Sequence, residues 1–255
     1  MRFDAEITGR FAREALSGGD GEVCAVFARS FYLRFPDARY ACIGDATLGC
    51  GPLNALVREF RAPAIGETVS VSMQHARLWE PAPLPQPAAP DLKALQRFAN
   101  GHIPREGLGC LISGAHNALS VHVQPALEAL ERWLVGNALA DEAELLIGCG
   151  PGLTPSGDDY LAGMLVALRA CGRGAQAQAL WRWLGPRLVT RTSAISAAHL
   201  AAAAAGEAHE ALHACLERLF AGDASWEEPL LRLSRVGHGS GWDALAGAVA
   251  VARQA

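Results

Sequence analysis

GPGLTPSGDDYLAG, residues 150–163, begins with glycine and proline, passes Thr154 and Ser156, and sets two adjacent aspartates ahead of an apolar tract. Glycine and proline punctuate, and apolar residues at three- and four-residue spacing signal a helix, so the stretch predicts a glycine loop entering a helix. A second copy lies near the C-terminus. SGDDYLAGMLVALR (156–169) and SGWDALAGAVAVAR (240–253) share Ser, Gly, Asp, Leu, Ala and Gly within their first eight positions. Upstream, IGCG (147–150) faces VGHG (236–239), and only the first copy carries the insertion PGLTP (151–155).

The repeat sorts the aspartates. Ser156 and Ser240 fall where an N-cap is expected, with Asp159 and Asp243 three residues on, the spacing of a capping box. Capping accounts for Asp159 and Asp243 but not for Asp158, whose counterpart is Trp242. Asp158 is therefore the first catalytic candidate.

Helix N-termini carry unpaired N–H groups and partial positive charge, so the two loops suit an anion. The residues expected to bind it are Gly150, Gly152, Ser156, Gly157 and Asp159 in the first copy, with Gly239, Ser240, Gly241 and Asp243 in the second. Thr154 and His238 are candidates for hydroxyl and imidazole roles beside Asp158. A carboxylate repels phosphate unless Mg²⁺ bridges the two or the carboxylate accepts a hydrogen bond from an amide NH₂. A possible Mg²⁺ at Asp158 is thus one expectation and an amide contact the other.

Outward from the repeat, the chain divides. The segments EVCAVFARSFYLRF (22–35), RYACIG (39–44) and TVSVSM (68–73) carry β-branched and aromatic residues between turn formers. EPAPLPQPAAPD (80–91) holds five prolines and reads as an extended linker. Beyond it, PALEALERWLVGNAL, DDYLAGMLVALRAC, AQALWRWLGPRLV, TSAISAAHLAAAAAG and EAHEALHACLERLFAG show helical periodicity. The expected class is α+β: a β-rich N-terminal unit (1–80), a Pro-rich linker (81–91) and a mainly α-helical domain (92–255) carrying the anion site.

The 255 residues, 51% apolar and 19% charged with net charge −4, describe an ordinary globular chain and give no reason to expect nucleic acid or an anionic membrane as partner. No window approaches 18 uninterrupted apolar residues, so no transmembrane span is expected, and the start MRFDAEITGR lacks an apolar signal core, so the cytoplasm is the default expectation. Seven cysteines without a CxxC pair indicate neither a disulfide framework nor a zinc knuckle.

Two short motifs compete with this reading. HEALH (209–213) matches the HExxH zinc pattern, which on a helix sets His209 and His213 on one face with Glu210 as base, and so raises a zinc hydrolase. No His follows at the metzincin position, and Glu227 and Glu228 lie close for a third ligand. TRTS (190–193) matches part of the Ser-Thr-Arg-Thr-Arg phosphate loop of classical transcarbamylases, but Val189 and Ser193 stand where that loop has Ser and Arg. That fold also needs alternating strands and helices, which this half lacks. Arg191 remains a candidate for an anion's charge, and Thr192, Ser193 and Ser196 open a helix where hydroxyls can cap it or contact a ligand.

GCGPGLTPSGDDYLAG (148–163), SAISAAHL (193–200) and GHGSGWD (237–243) together resemble the oxamate carbamoyltransferase subunit family of the AllH type. Its pattern is G-x-G-x-G-L-T-P-S-G-D-D-[FY]-L-x-G, followed later by G-H-S-S-G-x-D. Here Gly239 replaces one Ser of the later motif. The resemblance runs from about residue 140 to the end and is looser over CGPLNALV (50–57). It implies a subunit that works beside other chains, one related to acyl-CoA synthetases, in anaerobic allantoin breakdown. The substrates it implies are carbamoyl phosphate or phosphate and an oxamate-like anion, with oxalurate phosphorolysed to oxamate and carbamoyl phosphate or the reverse. A non-catalytic subunit binding the same anion stays open as the alternative.

Overall fold

The computed structural model describes residues 1–85, 92–222 and 225–254, so residues 86–91 of the Pro-rich linker lie outside the described residues. The chain forms two compact units, Met1–Ala82 with Glu207–Glu210, and Pro83–Gly206 with Ala211–Ala255.

The N-terminal unit is a sheet that closes on itself. Its strands are β1 (Arg2–Gly9), β2 (Gly21–Val26), β3 (Ser30–Arg34), β4 (Tyr40–Gly44), β5 (Asn54–Val57), β6 (Thr68–Ser72) and β7 (Arg77–Trp79), with helix α1 (Arg10–Leu16) after the first. They run β5-β4-β3-β2-β6-β1-β7, and β5 also pairs with β1, which joins the ends of a six-strand ring. Strand β1 reads polar–apolar in strict alternation from Arg2 to Ile7, so alternate residues point inward. Phe3 and Ala5 enter one core with Val23, Phe31, Leu33, Ile43, Val57, Val69 and Val71, and α1 adds Ala12, Ala15 and Leu16. The segment 22–35, expected as one β stretch, is two antiparallel strands in which Val26 pairs with Phe31.

The second unit is helical, as the periodicity predicts. It contains α2 (Leu92–Ala99), α3 (Ala118–His122), α4 (Gln124–Leu134), α5 (Ser156–Ala170), α6 (Gly174–Arg191), α7 (Ala194–Ala204), α8 (Glu210–Ala221, from its second residue), α9 (Glu227–Leu233) and α10 (Ser240–Ala252). The repeat helices α5 and α10 form its centre. Both are buried on nearly every face, as expected of helices apolar all round. They pack on each other at repeat-mate glycines: a Cβ on Gly163 would stand 1.8 Å from the Ala244 oxygen, and one on Gly247 would stand 1.9 Å from the Tyr160 oxygen. Gly163 corresponds to Gly247 and Tyr160 to Ala244 in the repeat, so the crossing has a local two-fold. Among the described residues no helix is long and apolar enough to cross a membrane.

Candidate functional site

The capping expectation fails at both repeat helices. Ser156 and Ser240 are the first helical residues, preceded by Pro155 and Gly239, and neither helix has a side-chain N-cap. Pro155, with no N–H to satisfy and a restricted φ, already sets the entry into α5.

The serines and aspartates act across the crossing instead. Asp243 is buried, and its Oδ1 accepts from the Leu108 and Gly109 amides at 2.6 and 2.9 Å. Burial pushes its carboxyl up to about 6, opposed by a hydrogen bond from Ser156 and by those amides. Burial likewise holds Asp159 well above the usual carboxylate range; the Ser240 hydroxyl opposes this and the charges of Asp243 and Asp158 reinforce it. Each opening serine therefore serves the aspartate of the other copy. Asp159 Oδ2 is buried with no partner among the described residues, as suits a protonated acid better than an anion. Thr154 joins this cluster, its hydroxyl 3.1 Å from that of Ser240.

Asp158 has a structural explanation that the repeat alone does not provide. It is 1% exposed. Oδ1 accepts from the Gly148 amide at 2.8 Å, and Oδ2 accepts from the hydroxyls of Ser196, at 2.6 Å, and Thr192. One carboxylate thus ties the start of α5 to the glycine loop and to the α6–α7 turn. Trp242, its counterpart, is buried against Gly109, where a Cβ would lie 2.8 Å from that of Trp242.

The residues around Asp158 do not fit a magnesium ion. Its oxygens already receive N–H and O–H donors, and among the described residues no group of three or more His, Cys, Asp or Glu side chains could hold a metal. The HEALH motif does not take the geometry that a zinc helix needs either. Helix α8 starts at Glu210, so His209 precedes it, and His209 Nε2 lies 2.9 Å from the Leu48 oxygen.

Beside Asp158 the loop and the α6–α7 turn border a wide-open cavity of about 360 Å³, lined by Gly148, Gly150, Gly152, Pro155, Val189, Thr190, Arg191, Thr192 and Ser193. Gly148 is required here twice over: its φ is +71°, and a Cβ would fall 1.9 Å from the Arg191 oxygen. Ser193 caps α7, accepting from the Ser196 amide at 3.0 Å, and donates to the Leu153 oxygen at 2.6 Å. Among the described residues, the loop amides of Gly150, Gly152, Leu153 and Thr154 donate to no protein acceptor, which leaves them available to an anion. Cys149 sits in the same loop, but burial, with the Asp158 charge, pushes its thiol up, and a thiol so held is a poor nucleophile.

Of the residues expected at the site, Gly150, Gly152, Arg191 and Thr192 line this cavity, while Ser156, Gly157, Asp158 and Ser196 are buried and, like Thr154 and Asp159, do not line it. Gly239, Ser240, Gly241 and Asp243 belong to the second copy and do not line it, and His238 is exposed there. Sequence reading missed Gly148, Pro155, Val189 and Thr190 as lining residues, although Gly148 stands inside the repeated IGCG. It also missed Glu144, whose carboxylate binds both Arg191 and Arg187.

Fold and site together define a helical domain built on an internal loop–helix repeat, with a glycine-loop cavity at the copy that carries the insertion. Residues 146–252 match the model of the family described as oxamate carbamoyltransferase subunit AllH, the family whose motifs the sequence resembles. The match takes in both copies of the repeat and the α6–α7 turn between them, and a subunit by that name belongs to a multi-subunit enzyme. Neither curated proteins nor solved structures gave a match to this chain.

Proposed function

We propose that this chain is the subunit of a cytoplasmic oxamate carbamoyltransferase that holds carbamoyl phosphate in the cavity between the 148–155 loop and the α6–α7 turn. The observation that carries this reading is the meeting on one cavity of Arg191 with Gly150 and Gly152, whose amides donate to no protein acceptor among the described residues. Amides without a protein acceptor in a glycine loop suit phosphate oxygens. In the transfer, the oxamate nitrogen attacks the carbamoyl carbon, the bond from that carbon to the phosphate oxygen breaks, and phosphate departs with the electron pair. The nitrogen's proton goes to the departing phosphate, a base of suitable strength near neutrality. Loop amides stabilise charge on the carbamoyl oxygen, and holding both reactants together supplies rate. The pathway that the family resemblance implies is allantoin breakdown, with an acyl-CoA synthetase-related chain among the partner subunits.

The saturation of Asp158 favours a second reading, in which this chain binds the anion and a partner supplies the chemistry. The Asp158 carboxylate is committed to Gly148, Thr192 and Ser196 and does not line the cavity, so it is not placed to take a proton from a ligand there.

Thermal unfolding in the presence of carbamoyl phosphate tests the binding that both readings share. At a hundredfold excess over Kd the native state gains about 2.7 kcal/mol, a readable rise in Tm that should not need Mg²⁺ and should shrink in Arg191→Ala. No rise at millimolar carbamoyl phosphate, or an undiminished rise in Arg191→Ala, contradicts the proposal. Turnover by the isolated chain with oxamate separates the first reading from the second.

A further inference from the structure

Arg191 lines the cavity with a side chain 45% exposed, and its Nη2 is bound to Glu144 Oε2. An arginine so exposed normally samples many rotamers, and fixing it on a ligand costs binding free energy. Glu144 does not line the cavity. Its other oxygen, Oε1, accepts from Arg187 Nε at 2.7 Å. Arg187 is itself fixed: Nη1 donates to the Trp183 oxygen at 2.8 Å, and its guanidinium stacks 4.3 Å from the Trp183 ring centroid. The chain of contacts therefore runs from the half-buried Trp183 through Arg187 and Glu144 to the arginine at the cavity wall.

Charge bookkeeping separates two roles for Glu144. Alone beside Arg191 it would cancel the charge an anion needs. Arg187 already compensates Glu144, so the three groups together keep one positive charge, and Arg191 supplies it at the cavity. Of the other acids nearby, Asp141 is 3.9 Å from Arg187 and 91% exposed, where solvent screens it, and the charge of Asp158 is directed onto the Gly148 amide and the Thr192 and Ser196 hydroxyls.

We infer that Glu144 is a positioning residue which, anchored by Arg187, holds the Arg191 guanidinium ready for the phosphate of the bound anion. The inference rests on the proposed anion site and adds to it a residue 47 positions away in sequence. It carries a sign that simple electrostatics does not give. Removing a carboxylate near an anion site should tighten anion binding by Coulomb's law alone, whereas removing a brace should weaken it.

The test is calorimetric titration of the full-length chain with carbamoyl phosphate, and separately with inorganic phosphate, in wild type, Glu144→Gln, Glu144→Ala, Arg191→Ala and the double variant Glu144→Ala/Arg191→Ala. Far-UV circular dichroism and a thermal melt confirm that each variant is folded. Glu144→Ala should weaken both ligands about three- to tenfold, the cost of ordering one long side chain, and Glu144→Gln should fall between it and wild type. In the Arg191→Ala background the same change should weaken nothing, because the brace then has nothing to hold. If wild type binds and Glu144→Ala binds equally or more tightly, the brace is overturned while the anion site stands. Equal weakening by Glu144→Ala with or without Arg191 also overturns it, because Glu144 then acts through something else. If wild type binds neither ligand, the anion site fails and the brace fails with it.

Discussion

Gly163 and Ala244 meet backbone to backbone: a Cβ on Gly163 would lie 1.8 Å from the Ala244 carbonyl oxygen. The repeat places the reciprocal contact at Gly247 and Tyr160, at 1.9 Å. Ala at either glycine must push α5 and α10 apart, since a backbone carbonyl cannot swing aside as a side-chain tip can. Gly163→Ala and Gly247→Ala should each lose at least about 1–3 kcal/mol, the usual range for overpacking a core. Urea unfolding reads the loss as a lower midpoint at unchanged slope. Wild-type stability in either variant would show that the helices cross with more room than described.

Asp158 and Asp159 should respond oppositely to amidation. Asp158→Asn sets an NH₂ donor against a carboxylate position served entirely by donors, from Gly148, Thr192 and Ser196. It should cost about 2–4 kcal/mol and loosen the turn that lines the cavity. Asp159→Asn replaces a buried acid that has an unpartnered oxygen, so it should be tolerated to within about 1 kcal/mol. The pair of midpoints from chemical unfolding checks the contrast, and a reversal of the order contradicts the roles assigned here.

The raised carboxyl of Asp243 makes stability depend on pH. In the unfolded chain it titrates near its ordinary value of 3.8, and in the folded protein near 6. Between those values the native state holds the proton and the unfolded state has lost it, so stability falls as pH rises through this window. The full difference amounts to about 3 kcal/mol above pH 6, and Asp159, raised for the same reason, contributes in the same direction. Asp243→Asn keeps an oxygen for the Leu108 and Gly109 amides and has no proton to lose. Its midpoint should therefore vary less between pH 4 and pH 7 than that of wild type. Parallel pH profiles for the two proteins would rule the raised carboxyl out.

Much of this fold was legible. Helical periodicity gave the second unit because its helices bury long apolar runs, and β-branched clusters gave β2, β3, β4 and β6. Strand β1 escaped notice although RFDAEITG alternates polar and apolar residues, and β5 and β7 are short. Strand β5 becomes one by closing the ring on β1, and β7 by pairing with β1 outside the ring, both of which are long-range facts. The repeat correctly marked the loop–helix elements, and the family it suggested is the one matched. It misjudged the serines, because the capping-box spacing also suits a serine reaching the partner helix. It could not explain Asp158, whose partners Thr192 and Ser196 lie 34 and 38 residues away. TRTS, too fragmentary to support homology, nonetheless lines the cavity, since what places it there is the carboxylate tie to Thr192 rather than a shared fold.

Hydrogen–deuterium exchange of the full-length chain with and without carbamoyl phosphate tests the central claim most directly. The unbonded amides of Gly150, Gly152, Leu153 and Thr154 exchange freely unless something accepts from them. Slowed exchange over 148–155 together with 190–197 is the expected result. Slowing confined to the second loop at 236–241, or to the N-terminal strands, would contradict a carbamoyl phosphate site between the glycine loop and the α6–α7 turn.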